Sequence, residues 1–182
     1  MSSNEIKPKF YGLVAEFDDE RELVKAGRAA REFGYTKLDA FSPFPVHGID
    51  DAIGVPRSKL GWIVICGGAA GLLTATLLVW YTGAISYPLV IGGKPLFAVE
   101  FAVPPMFELT ILFSAFAAVF GMFALNKLPQ YYHPIFNFSN YERVTDDSFL
   151  LAIEATDPLF DPDESAKLMA SMGALKTELV EA

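Results

Sequence analysis

The chain has 182 residues, room for one domain or one domain with a small attachment, and its apolar share of 52% is concentrated between Leu60 and Leu125. The net charge is −8, with nine basic against ten acidic side chains in residues 1–59 and four against ten in 127–182; a nucleic-acid surface needs clustered Lys and Arg and is excluded. The single cysteine, Cys66, excludes an internal disulfide, a CxxC metal knuckle and a CxxCH haem attachment.

Residues 1–20 are polar and acidic and contain no apolar core of a signal peptide, so the first apolar span is expected to act as an uncleaved anchor. FYGLVAEF reads as a strand. DDERELVKAGRAAREFG then places Leu23, Ala26, Ala30 and Phe33 at helical spacing, with acidic residues at its start and Gly34 at its end. In YTKLDAF, Leu38 and Ala40 alternate with Lys37 and Asp39, a second strand. The proline-shaped connector SPFPVHGID follows and carries His47.

LGWIVICGGAAGLLTATLLVWY, residues 60–81, carries no charge. At ~1.5 Å per residue it reaches about 33 Å, enough to cross a bilayer. Trp62, Trp80 and Tyr81 stand near its ends, where amphipathic rings favour the interface. The loop 82–105 contains Gly92-Gly93 between two β-like runs and predicts a short ribbon outside the membrane, limited by Pro88 and Pro95. Residues 106–125 form a second span of about 30 Å. Arg57 and Lys59 before the first span and Lys127 after the second outweigh Lys94 in the loop, which predicts cytoplasmic termini.

Small residues recur every four positions in both spans: Gly67, Gly71 and Ala75 in the first, Ser114 with Ala118 and Ala117 with Gly121 in the second. Such faces let helix backbones approach closely, either within a hairpin or against a larger membrane protein. Two helices enclose no cavity, so a transport path through this chain alone is not expected.

After the second span, residues 126–182 repeat the first pattern. FLLAIEAT is followed by DPDESAKLMASMG and ALKTELV, with Asp161 or Asp163 as cap, Pro162 in the first turn and Gly173 at the end. YGLVAE aligns over FLLAIE, with Glu16 over Glu154 and Gly34 over Gly173. Two βαβ units predict an α+β fold, a ferredoxin-like βαββαβ domain split by a two-helix transmembrane hairpin. Each half is too small to bury a core alone, so 1–59 and 126–182 are expected to fold together in the cytoplasm.

His47 and His133 are the two histidines, and two histidines can ligate haem or a metal; without carboxylate or cysteine ligands at suitable spacing they read as interfacial polar residues. Glu100 and Glu108 flank Pro104-Pro105. Those prolines favour a helix start, which predicts Glu108 in the first turn, near the outer headgroups, as a cap or subunit contact; proton exchange is the other role weighed. GGAAG looks like a phosphate loop but lies inside a span, and no nucleotide, zinc-hydrolase or serine-nucleophile motif is present.

YGLVAEFDD, FSPFPVHGIDDAIG, the spaced glycines of the first span, YPLVIGGKPL, VPPMFELTILFSAFAAVFGM, LPQYYHPIFN and FLLAIEATDPLFD stand in an order that resembles the ActD family, over nearly the whole chain. These are the small two-span subunits of bacterial alternative complex III. The resemblance implies a place in a complex that oxidises menaquinol or another quinol and passes electrons to a periplasmic carrier. It implies sister subunits with c-type haems, iron–sulfur clusters and a polytopic quinol-binding core, no cofactor in this chain, and a bacterial cytoplasmic-membrane location. No catalytic residue carries over. The expected role is assembly and anchoring; the alternative is a membrane-anchored sensor whose ferredoxin-like domain binds a ligand or metal.

Overall fold

The structure is a computed structural model and describes residues 10–182. They fall into two compact units: one joins the chain up to Pro56 to Tyr131–Ala182, the other is Arg57–Gln130.

The first unit is built from β1 (Phe10–Phe17), α1 (Glu20–Phe33), β2 (Leu38–Phe41), α2 (Ile49–Ile53), β3 (Phe149–Glu154), α5 (Pro162–Ser171) and β4 (Lys176–Glu181). Asp19 caps α1 by accepting from the Arg21 amide, and Gly34 closes it at φ 119°, a left-handed conformation that glycine adopts without strain. Asp161, rather than Asp163, caps α5, accepting from the amides of Asp163 and Glu164.

The sheet order is β2-β3-β1-β4, with every neighbouring pair antiparallel. β1 meets β3 from Gly12↔Glu154 to Phe17↔Phe149 and meets β4 on its other side; β2 meets only β3. All three pairings therefore join the N-terminal part of the chain to the C-terminal part. Gly12 sits at an irregularity in β1, where a Cβ would lie 2.1 Å from the Ile153 carbonyl oxygen, so no side chain fits.

Alternation along the strands gives the sheet two apolar faces. Leu13, Ala15, Phe17, Leu151 and Ile153 pack with Leu23, Ala26 and Ala30 of α1 and Met169 of α5. Val14, Leu150, Ala152 and Val180 are covered by Ile135, Phe138 and Val144 from two 3₁₀ turns, Pro134–Asn137 and Tyr141–Thr145. Phe33 departs from the expected helix face: it is 57% exposed and stacks on Tyr35 at 5.6 Å between ring centroids. Gly27 is buried in its stead, and its missing side chain lets Ile53 of α2 close over α1.

The second unit is an antiparallel pair, α3 (Leu60–Trp80) and α4 (Val99–Leu125). A π turn, Tyr81–Ser86, extends α3, so each apolar helix is 27 residues long and able by length and composition to cross a membrane. Both run beyond the expected bounds of 60–81 and 106–125. Pro104 and Pro105 do not start α4; they lie inside it. Their fixed φ is helical, and near a helix N-terminus they forgo only the bonds to the Glu100 and Phe101 carbonyls.

The expected ribbon in the loop is absent among the described residues. Gly92 and Gly93 do make a tight turn at φ 63° and 76°, closed by the Lys94 amide donating to the Ile91 carbonyl at 3.2 Å. The flanking Leu89, Val90 and Ile91 stay exposed and unpaired as strands. Pro88 and Pro95 deprive both arms of donors, and two short arms without a third strand do not hold a ladder.

Candidate functional site

The small residues of the second unit draw α3 and α4 together. A Cβ on Gly71 would lie 2.3 Å from the Leu109 carbonyl oxygen, and one on Gly67 would lie 2.9 Å from the Phe113 carbonyl oxygen and 2.5 Å from Ala117 Cβ. Gly68 faces Ser114 Oγ at 2.6 Å by the same measure, and Gly121 faces Leu60 and Ile63 at 3.0 and 3.1 Å. Ala75 is fully buried and Ala118 half-buried. Backbone thus approaches backbone without intervening side chains. Gly68 was not apparent from the spacing, because it lies one residue off the Gly67-Gly71-Ala75 row.

The outer surfaces differ between the two helices. α4 exposes Phe101, Phe107, Phe116, Phe120 and Phe123; α3 exposes Trp62, Ile65, Leu72, Leu73, Leu77 and Leu78. Glu100 occupies the first turn of α4. Glu108 does not: it lies beyond both prolines, well inside the helix and exposed on its outside, so it does not cap α4 as expected. The physical reason is the tolerance of helix N-terminal turns for proline, which moves the start back to Val99.

In the first unit the two histidines do not converge. His47 is exposed next to Val46, which packs on the α1 side of the sheet. His133 lies against the other face, edge-on to Tyr11 at 5.1 Å, and its Nδ1 accepts from the Ile135 amide at 3.2 Å. Among the described residues no group of three or more His, Cys, Asp or Glu side chains is placed to hold a metal ion.

Three buried polar clusters join the two ends of the chain. Glu16, 3% exposed, accepts from Ser148 Oγ at 2.8 Å, Asn140 Nδ2 at 2.9 Å and Arg143 Nη1 at 3.1 Å. Arg143 also grips Asp147 in a two-bond fork at 3.0 and 2.9 Å, which holds the Asp147 carboxyl below its ordinary value. Asp157 accepts from the amides of Thr36, Lys37 and Leu159 at 2.7, 2.8 and 2.9 Å and from the Thr36 hydroxyl at 3.1 Å. Burial pushes its carboxyl up, but these four donors outweigh burial and bring it below the ordinary value. Tyr35 and Ser165 share a buried hydroxyl–hydroxyl bond of 2.8 Å. An acid inside the otherwise apolar FYGLVAEF was a visible signal for Glu16; nothing in the local pattern marked Asp157.

On the face shared with His133, burial pushes the Asp39 carboxyl up, helped by Glu154 and opposed by the Ala40 amide and His133. Burial likewise raises Tyr11, with Asp39 and Glu154 adding to it. Asp39 therefore bears on the acid stability of the unit.

The family model described as "Alternative complex III, ActD subunit" matches residues 11–179. No curated protein matches the chain.

Proposed function

The chain belongs to the ActD family of alternative complex III, a respiratory electron-transfer complex, and from that premise we propose that it is a cofactor-free assembly and anchoring subunit. The observation that carries this is the family match across residues 11–179. Its partners in this reading are the polytopic quinol-binding subunits, the multihaem cytochrome c and the iron–sulfur subunit. Two apolar helices of membrane-crossing length support attachment to a bacterial cytoplasmic membrane. The excess of Arg57, Lys59 and Lys127 over Lys94 supports cytoplasmic termini. The strand order β2-β3-β1-β4, antiparallel throughout, supports a ferredoxin-like domain split by the hairpin.

Gly67, Gly71, Ala75, Ser114, Ala118 and Gly121 serve, in this reading, to make the hairpin one rigid piece, and its outer faces meet the rest of the complex. Native purification through a tag on this chain tests the proposal. Mass spectrometry should find multihaem and iron–sulfur subunits in the eluate, with a c-type haem spectrum. Recovery of the chain alone, from membranes that contain those subunits, refutes it.

A further inference from the structure

Glu108 lies much deeper in the apolar span than a headgroup residue. Its neighbour Leu109 presses its carbonyl against Gly71. Gly71 stands near the middle of α3, about 17 Å along the helix from Leu60 and about 14 Å from Trp80. With tryptophans favouring the interface, Trp62 and Trp80 bracket the hydrocarbon, and Glu108 falls close to its centre. A charge there is costly, and ionisable residues within spans almost always face protein or a water-filled cavity.

Nothing within the described residues satisfies it. Glu108 is exposed on the outside of α4, and among the described residues its side chain takes part in no hydrogen bond or ion pair. The hydroxyls nearest in level, Thr74, Thr76 and Thr110, donate to the carbonyls of Ala70, Leu72 and Met106 on their own helices. A glutamate side chain has two methylenes and is too short to snorkel to either interface. The surrounding stripe of Pro104, Ile111, Leu112 and Ala115 is apolar and exposed, with Glu108 its one polar group.

We infer that this face of α4 is covered in the membrane by a helix of a partner subunit that presents a cation or hydrogen-bond donor to the Glu108 carboxylate. Charge complementarity fixes the occupant: lipid tails carry no donor, and headgroups do not reach this depth. The inference rests on membership in a multisubunit membrane complex, and it adds which helix face docks and what chemistry receives it.

The test uses the native complex purified through another subunit, with p-benzoylphenylalanine in place of Ile111 in one strain and Glu108→Leu or Glu108→Gln in others. The photoprobe is expected to cross-link to a membrane-embedded protein subunit. Glu108→Leu should lower the content of this chain in the complex about tenfold or more, and Glu108→Gln, which still accepts a hydrogen bond but carries no charge, should lower it less. A probe that labels only lipid, or full assembly of Glu108→Leu, overturns the inference while leaving the subunit role intact. Intact assembly with lost turnover in Glu108→Gln also overturns it, in favour of proton exchange. A wild-type chain that brings down no other subunit overturns both readings.

Discussion

Asp157→Ala should loosen the join between the two ends of the chain. The carboxylate is 5% exposed and receives the amides of Thr36, Lys37 and Leu159 and the Thr36 hydroxyl. Truncation leaves three backbone donors without their acceptor. Thr36 and Lys37 are exposed, so water recovers part of the loss, and about 1 kcal/mol per amide is a fair net cost. The sum, about 3 kcal/mol, corresponds to roughly a 100-fold rise in the open population. Hydrogen–deuterium exchange of the full chain in detergent reads this directly: amides of β1 and β3 should exchange about 100-fold faster, with α3 and α4 as the internal reference. Acceleration below about 3-fold would refute the reasoning, because the donors would then have found equivalent partners. The same carboxyl sets an acid limit. Its folded pKa lies below the ordinary value, so its contribution is complete above the unfolded pKa, ~3.9, and is lost as pH falls through the lower folded value.

Three further outcomes are expected. Gly71→Ala forces a methyl to within 2.3 Å of the Leu109 carbonyl oxygen and should weaken the hairpin by about 1–3 kcal/mol in detergent unfolding, with sheet exchange rates unchanged. Glu16→Ala strands Ser148, Asn140 and Arg143 and should cost about 2–4 kcal/mol by denaturant titration of the sheet unit; Arg143→Ala should cost less, since Arg143 is half-exposed. Asp39→Asn should stabilise the unit at pH 7, because burial raises the folded carboxyl and charging it there carries a penalty. That penalty fades as pH falls through the raised folded value, so variant and wild type should converge near pH 4; a gain that persists in acid would point to another cause.

The four strands and the helices α1 and α5 were legible because each carries its own periodicity and its own cap, such as Asp19 with Gly34 or Asp161 with Pro162. The elements that escaped are those held by tertiary contact. α2 spans five residues, and the 3₁₀ turns around Ile135 and Val144 are shorter than any pattern that periodicity detects; they persist because the sheet gives their apolar residues somewhere to go. Pro104-Pro105 misled because proline is common at a helix start, whereas here the helix begins five residues earlier with Val99. Gly92-Gly93 marked a real turn, but a turn signal says nothing about whether its arms find strands to pair with. Of the helix pair, the Gly67-Gly71-Ala75 row was visible, while the level of Glu108 along it depended on which residue of α4 lies against which residue of α3.

Because every strand pairing crosses from one end of the chain to the other, the order of biogenesis is constrained. β1 and β2 leave the ribosome with no strand available to either. Roughly a hundred residues, including both apolar helices, must be made before β3 exists; at ~5–20 residues per second this is about 5–20 s. During that interval the N-terminal segment presents two unpaired strand edges to the cell. The antiparallel helices bring the two ends of the hairpin together, Gly121 lying against Leu60 and Ile63, and this shortens the loop that the sheet must close. In the membrane-anchored reading proposed above, insertion of the hairpin precedes folding of the sheet, and a chain that fails to insert should be recognised by quality control as one that never acquires a sheet.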